Sequence, residues 1–265
     1  MIPSPGRTIL IIIAFAVSSV PGGMPCQASD EIEVLFREDF FTLEMWEPLK
    51  FPRIDSLSEY SIERTSDGTS FVRARSNKSA SGMVWKGDFN PYEFPRIRWR
   101  WKVDGVYRKG NATARSGDDY PIRLYVMFTY DPDDPAVRRS FKHSLARSMG
   151  RELPYRSINY IWANRQHGRE IIPNPYTERA MMIAREQGPD RVGQWVAEEA
   201  NLLDDYREAF GEDPPHRAGL AFMNDSDDTG EASTSYIDFI ELYRRVDDPP
   251  EPPDEAKRIK MRGKD

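Results

Sequence analysis

The segment PRIRWRWKV at residues 95–103 constrains the fold more than any other stretch of the chain. Apolar and basic residues alternate along it: Ile97, Trp99, Trp101 and Val103 against Arg96, Arg98, Arg100 and Lys102. Successive side chains of a β-strand point to opposite faces, whereas a helix would spread the same apolar residues around its axis. The segment therefore predicts a strand with one buried face and one basic face.

Short strand-like runs of this kind, separated by turn residues, recur through residues 31–246. We predict eleven further strands, at residues 33–40, 46–51, 60–64, 70–75, 82–87, 121–130, 158–163, 180–184, 193–198, 218–223 and 234–243. Two short helices are expected at 135–149 and 199–210. Many short strands with few helices favour an all-β fold. We expect a two-sheet antiparallel β-sandwich, jelly-roll-like, with both helices in connecting loops and the first and last strands as neighbours.

The two ends of the chain differ from this central region. Residues 1–28 are typical of a secretory signal peptide, with Arg7, an apolar run of about a dozen residues that is shorter than the roughly 20 needed to span a bilayer, and Ala28 before the expected cleavage point. Residues 247–265 are rich in proline and charge and predict a disordered tail. One β-sandwich domain is left at 29–246, and its expected location is periplasmic or secreted.

Charge and cysteine content exclude several classes of function. The formal charge of −6 disfavours nucleic acid as the main partner, because phosphate binding needs a basic surface. Cys26 is the only cysteine and is lost with the signal peptide, so the mature chain has no disulfide and no thiol nucleophile. We expect no membrane span after cleavage; the alternative is that the N-terminal segment is retained as an uncleaved anchor. The oligomeric state stays open.

The stretch NDSDDTG at 224–230 follows an apolar run and is the first candidate site. It begins like an EF-hand loop, but the twelfth position, which should be a bidentate Glu, is Tyr236, and the flanking segments are strands. Asp225, Asp227 and Asp228 could still supply oxygens to a Ca²⁺ site of another design. The alternative is a polar turn in which Asp and Gly serve the turn geometry.

A second acidic stretch, Gly117-Asp118-Asp119-Tyr120, precedes the strand at 121–130. Asp118, Asp119 and Arg123 are candidate ligand-binding residues at a loop rim, together with Asp228, because sandwiches carry function on their loops. The alternative is a solvated turn in which one of the two carboxylates pairs with Arg123. Asp119, Tyr120 and His167 are catalytic candidates, and no zinc-binding histidine pattern supports a metalloenzyme.

The aromatic and basic residues of the predicted strands allow two interpretations. The basic face of residues 96–102 could bind an acidic glycan, since arginine forks match carboxylates, or it could be an ordinary sheet face paired with acids elsewhere. Trp99 and Trp101 alternate with basic residues, which predicts that both side chains lie in the core. Trp162, which has polar neighbours in the sequence, is a candidate for stacking on a sugar ring, although the core is the favoured place for it too.

Four stretches together resemble a bacterial exported family known as a domain of unknown function, number three thousand and forty-seven. They are WRWKVDG (99–105), GDDYPIRLYVMF (117–128), INYIWANRQHG with NPYT (within 158–177) and MNDSDDTGEASTSYIDFIEL (223–242). The resemblance covers about residues 32–244 and implies one exported domain without assigned catalytic residues. More loosely, the order of strands is similar to that of carbohydrate-binding jelly rolls, which is a likeness of fold alone.

Three hypotheses for the function follow. The first is an exported binding module for a glycan or cell-envelope polymer, with its site at a loop rim that holds acidic residues and a calcium ion. The second is a polysaccharide lyase or glycoside hydrolase, which would need two suitably spaced carboxyl groups, or a base beside a cation. The third is a structural envelope protein that uses calcium for stability alone. The spatial relation between Asp118–Asp119 and Asp225–Asp228 discriminates among them.

Overall fold

The computed structural model describes residues 31–51, 54–129, 155–168 and 170–248. The predicted signal peptide, the helix predicted at 135–149 and nearly all of the predicted tail lie outside these residues. The described residues form thirteen strands: β1 Ile32–Glu38, β2 Trp46–Leu49, β3 Glu59–Arg64, β4 Ser70–Asn77, β5 Ala80–Trp85, β6 Arg96–Val103, β7 Arg123–Thr129, β8 Arg156–Ala163, β9 Ile171–Pro173, β10 Ala180–Gln187, β11 Val196–Asn201, β12 Arg217–Asp225 and β13 Ala232–Arg245. Within the same ranges there is one α-helix, α1, at Leu202–Phe210.

The strands form two sheets, which confirms the predicted all-β sandwich. Sheet I has the order β11-β6-β13-β4-β3, and β1 also pairs with β13; sheet II has the order β2-β5-β12-β7-β8-β10-β9. The first and last strands are antiparallel neighbours, as predicted. One pair departs from the antiparallel prediction: β8 and β10 are parallel, and β9 pairs with β10 at the edge of sheet II.

The core lies between the sheets, and the alternation in β6 explains how it is filled. Trp99 and Trp101 are fully buried and meet aromatic side chains of β8 in sheet II. The ring centroids of Trp99 and Tyr160 are 4.9 Å apart, and those of Trp101 and Trp162 are 6.1 Å apart. Burying several large aromatic rings supplies much of the apolar area that a sandwich without disulfides needs.

The single described helix is shorter than the segment predicted for it. The helix was predicted to begin at residue 199, but residues 199–201 instead form the end of β11, which pairs with β6. Asn201 caps the helix, because its side chain accepts hydrogen bonds from the backbone N–H groups of Leu203 and Asp204. Gly211 ends it in the left-handed conformation at φ 70°. Among the described residues, no helix is long and apolar enough to cross a membrane.

The basic face of β6 is confirmed as outward-facing, but most of its charge is neutralised within the fold. Arg98 pairs with Glu241 at 2.5 Å, and Arg100 pairs with Asp238 at 2.5 Å. Arg96 pairs with Asp248 at 2.6 Å. Asp248, two residues beyond the domain boundary predicted at 246, is thus held by an arginine of sheet I.

Candidate functional site

Three loops meet at one end of the sandwich, which we call the rim. They are the loop between β6 and β7, the loop between β8 and β10, and the turn between β12 and β13. Because β7 and β12 are antiparallel neighbours, the start of β7 lies beside the end of β12. This pairing brings Gly117–Tyr120 against the NDSDDTG turn, although the two segments are about a hundred residues apart.

The two acidic segments converge on a group of three carboxylates. Asp119, Asp225 and Asp227 each offer an oxygen, and these oxygens all lie within 4.8 Å of one another. Asp119 and Asp225 are buried, whereas Asp227 is exposed. We call these three residues the rim cluster. The sequence suggested Asp225, Asp227 and Asp228 as metal ligands, whereas the structure groups Asp225 and Asp227 with Asp119.

The position of Asp119 is fixed by backbone contacts on both sides. Its carboxylate accepts hydrogen bonds from the N–H groups of Asp228 at 3.3 Å and Thr229 at 2.5 Å. Its carbonyl accepts a hydrogen bond from Asn164 Nδ2 at 2.6 Å, and the Asn164 side chain in turn accepts from the Tyr107 N–H at 2.8 Å. The loop that carries Asp119 is therefore tied to both of the other loops.

Asp225 forms a buried ion pair with Arg123 at the start of β7. The Arg123 side chain is 6% exposed and that of Asp225 is 2% exposed. Arg123 contacts both carboxylate oxygens of Asp225 and donates to the Asp118 carbonyl at 3.0 Å. The predicted role of Arg123 as a ligand contact is disfavoured by this burial, since its guanidinium already serves the fold.

Asp118 and Tyr120 lie on the inner side of the rim cluster. The Tyr120 hydroxyl donates to Asp118 Oδ1 at 3.0 Å, and Asn174 Nδ2 donates to Asp118 Oδ2 at 3.1 Å. Burial raises the pKa of both side chains. A buried phenol with a raised pKa is a poor general base near neutral pH, so Tyr120 is unsuited to the catalytic role suggested for it.

The outer side of the rim carries Asp228 and the half-exposed ring of Tyr176. The Tyr176 hydroxyl lies 2.9 Å from both oxygens of Asp228 and 3.1 Å from the carbonyl oxygen of Arg115. The Arg115 guanidinium carbon lies 5.3 Å from the ring centroid of Tyr176. The ring is therefore held in place at the surface, where 50% of the residue is exposed.

The rim carries more negative than positive charge. Burial and the nearby Asp119 carboxylate raise the pKa of Asp227, and burial raises that of Asp228. Arg123 is the cation in direct contact with the buried carboxylates, and Lys109 Nζ contacts the Thr229 carbonyl at 3.0 Å. Oxygen-rich, net negative groups suit Ca²⁺, and three carboxylates together with carbonyls can provide several of its six to eight ligands. The rim cluster fits calcium in charge and donor type.

Two further candidates from the sequence, Trp162 and His167, contact residues near the end of β10. Trp162 is fully buried, and its Nε1 donates to the Gly188 carbonyl at 3.1 Å. A sugar contact for Trp162 stays a prediction that its burial disfavours. His167 follows β8, and its backbone N–H donates to Gln187 Oε1 at 2.8 Å. His167 therefore lies in the loop between β8 and β10, where its backbone contacts the last residue of β10.

Sequence reasoning assigned no role to Asn164, Asn174 or Tyr176, all of which hold the rim together. The sequence pointed to two of them in part, since Asn174 and Tyr176 belong to the NPYT motif that contributes to the family resemblance. Two glycines make the tight packing possible. A side chain on Gly110 would overlap Asn164, and one on Gly117 would lie 2.6 Å from the Asn111 nitrogen.

The fold and the rim cluster together define the class of protein: a β-sandwich of the jelly-roll type with an acidic cluster where three of its loops meet. The family described as "Protein of unknown function (DUF3047)" matches residues 44–241. The chain belongs to this family. No curated protein sequence gives a significant match.

Solved structures with a similar fold include several carbohydrate-binding proteins. The Family 11 carbohydrate-binding module from Clostridium thermocellum is 10% identical at a TM-score of 0.36, with 80% of this chain and 94% of that chain covered. Winged bean acidic lectin is 8% identical at a TM-score of 0.35, and the match covers 81% of this chain and 100% of the lectin chain. A third structure is the enzymatically active domain of tailspike protein 4 from bacteriophage CBA120, which is 8% identical at a TM-score of 0.37. The match covers 78% of this chain but only 20% of the tailspike chain. TM-scores below 0.5 do not assign a ligand.

Proposed function

We propose that this protein is an exported glycan-binding module whose loop rim holds a calcium ion. The observation that carries the proposal is the convergence of Asp119, Asp225 and Asp227 from two distant segments within 4.8 Å. Like charges brought this close repel one another, and a divalent cation relieves that repulsion. The raised pKa of Asp227 has the same origin, since burial and the Asp119 carboxylate both disfavour its charged form.

The groups around the calcium ion suit a sugar ligand. The exposed ring of Tyr176 offers an apolar surface to the C–H face of a sugar ring, and Asp228 offers acceptors to its hydroxyl groups. The Tyr176 ring is fixed by two hydrogen-bond contacts, which lowers the entropy cost of using it for binding. In this proposal calcium orders the rim and completes the surface that meets the glycan.

A calcium titration of thermal unfolding tests the metal site. We expect Ca²⁺ to raise the melting temperature of the wild-type protein and a chelator to lower it, because a ligand that binds only the folded state stabilises it. Asp227→Asn removes an exposed member of the cluster and should abolish most of this shift. Asp190→Asn, which removes an exposed carboxylate from the turn between β10 and β11, should leave the shift unchanged.

Binding to a panel of polysaccharides tests the glycan part of the proposal. We expect at least one polysaccharide to bind in the presence of calcium, and to bind more weakly to Asp227→Asn. Calcium stabilisation without binding to any polysaccharide would contradict the proposal and support a purely structural envelope protein. Release of new chain ends from a bound polysaccharide would instead support the lyase or hydrolase.

A further inference from the structure

One basic residue of β6 differs from the others in its surroundings. Arg96, Arg98 and Arg100 each pair with a carboxylate of the fold. Lys102 forms no ion pair within the described ranges 31–51, 54–129, 155–168 and 170–248. Its Nζ lies instead 4.2 Å from the ring centroid of Tyr236 and 5.3 Å from that of Trp195.

Three aromatic side chains form a cluster beside this lysine on the outer face of sheet I. Phe71, Trp195 and Tyr236 are partly exposed, and their ring centroids are 5.7 to 6.2 Å apart. Outward-facing strand residues of a sandwich are usually polar, because this face does not contribute to the core. A cluster of three rings here has no packing role between the sheets.

Arg75 on β4 is a second cation of this face without a carboxylate partner. It is exposed and makes no hydrogen bond or ion pair with any residue that the structure describes. Two adjoining depressions share Arg75 as a wall. One has a volume of about 340 Å³ and includes Ser56, Glu59 and Asn77; the other has a volume of about 270 Å³ and includes Asp104.

The aromatic cluster and the depressions are continuous. Tyr236 lies directly opposite Lys102 in the strand register, and its hydroxyl donates to Asp104 Oδ2 at 2.8 Å. Asp104 in turn lines the depression that contains Arg75. We define the cation–aromatic track as Trp195, Lys102, Tyr236 and Arg75 with the two depressions.

We propose that the cation–aromatic track binds an anionic polysaccharide whose sugars carry carboxylates. The rings suit the C–H faces of sugars, and the Arg75 guanidinium can hold a carboxylate through two parallel hydrogen bonds. Serine and asparagine side chains in the larger depression suit sugar hydroxyl groups. Because the whole chain carries a charge of −6, general attraction of polyanions is weak and these local cations must supply the affinity.

This inference depends on the proposed function in that the ligand is a polysaccharide, but it uses sheet I instead of the rim. The test measures binding of polygalacturonate, dextran sulfate and neutral dextran by calorimetry, in calcium and in chelator. We expect polygalacturonate to bind in chelator, where the rim cluster holds no ion. Lys102→Gln and Arg75→Gln should each weaken this binding about tenfold, which is the loss of one charge-assisted hydrogen bond.

Two controls separate the proposal from loss of folding and from general charge effects. Arg179→Gln removes an exposed arginine before β10 in sheet II and should leave the affinity unchanged. The melting temperatures of Lys102→Gln and Arg75→Gln should match the wild type, since neither residue holds a buried partner. Trp195→Ala should also weaken binding, and it is interpreted only if its melting temperature is unchanged.

Several outcomes would overturn the inference. These are equal affinity for neutral dextran, binding of dextran sulfate in place of polygalacturonate, and unchanged affinity in a Lys102→Gln/Arg75→Gln double variant. Polysaccharide binding that is lost in Asp227→Asn but kept in the double variant would support the rim as the glycan site and contradict the track. Binding in chelator that is lost in the double variant would support the track whatever happens at the rim.

Discussion

Replacing Arg123 with methionine tests the electrostatic account of the rim. Arg123 is the buried cation that contacts Asp225 and approaches Asp118, and methionine keeps an unbranched side chain without the charge. Removing one partner of a buried ion pair leaves the other charge uncompensated, which costs about 3–5 kcal/mol. The cost should lie in this range because the Arg123 and Asp225 side chains are 6% and 2% exposed.

Urea unfolding, followed by tryptophan fluorescence, measures this loss. In chelator we expect Arg123→Met to lower the free energy of unfolding by about 3–5 kcal/mol. In saturating calcium the loss should be smaller, because the bound cation partly replaces the missing positive charge. The exposed pair of Arg73 and Glu63 provides the control, and Arg73→Met should cost less than about 1 kcal/mol. A loss below about 1 kcal/mol for Arg123→Met in chelator would refute the reasoning.

Three further predictions concern other parts of the fold. Burial raises the pKa of Glu198 from 4.5 to about 7, so the protonated form stabilises the fold and this stabilisation is lost as the pH rises through about 7. Glu198→Gln should remove this part of the pH dependence, which is on the order of 1 kcal/mol or about 2–4 °C in melting temperature. Identical profiles of melting temperature against pH for the variant and the wild type would contradict the prediction. Gly110→Ala should cost about 1–3 kcal/mol by urea unfolding, because its Cβ would displace the Asn164 side chain from Asp119; an unchanged stability would argue against this packing. Tyr176→Phe should cost less than about 1 kcal/mol, since its hydroxyl is exposed, but should weaken calcium-dependent glycan binding if the rim is the site.

Alternation with a period of two made most of the fold predictable from the sequence. The pattern in β6 is read directly from neighbouring residues, and its burial follows the prediction at every position. Two features were not predicted, β9 and the last three residues of β11, because both depend on distant pairing. β9 is only three residues long and ends in proline. β11 was predicted to end at residue 198, but it continues to Asn201 because Glu199, Ala200 and Asn201 also pair with β6.

The rim could be predicted only in part, for the same physical reason. The sequence shows two acidic segments, but their meeting depends on the pairing of β7 with β12. The choice of Asp119 over Asp228 as the neighbour of Asp225 depends on how the loops fold against each other. The acids that neutralise the arginines of β6 come from β13 and from Asp248, so the sequence left the basic face open to two interpretations.

The position of a bound calcium ion is the most direct test of the central claim. Crystals grown with calcium should show an anomalous scattering peak about 2.3–2.6 Å from one carboxylate oxygen each of Asp119, Asp225 and Asp227. The same peak should be absent from crystals of Asp227→Asn grown in the same way. A wild-type crystal with no peak at the rim cluster, or with a peak that persists unchanged in Asp227→Asn, would contradict the account.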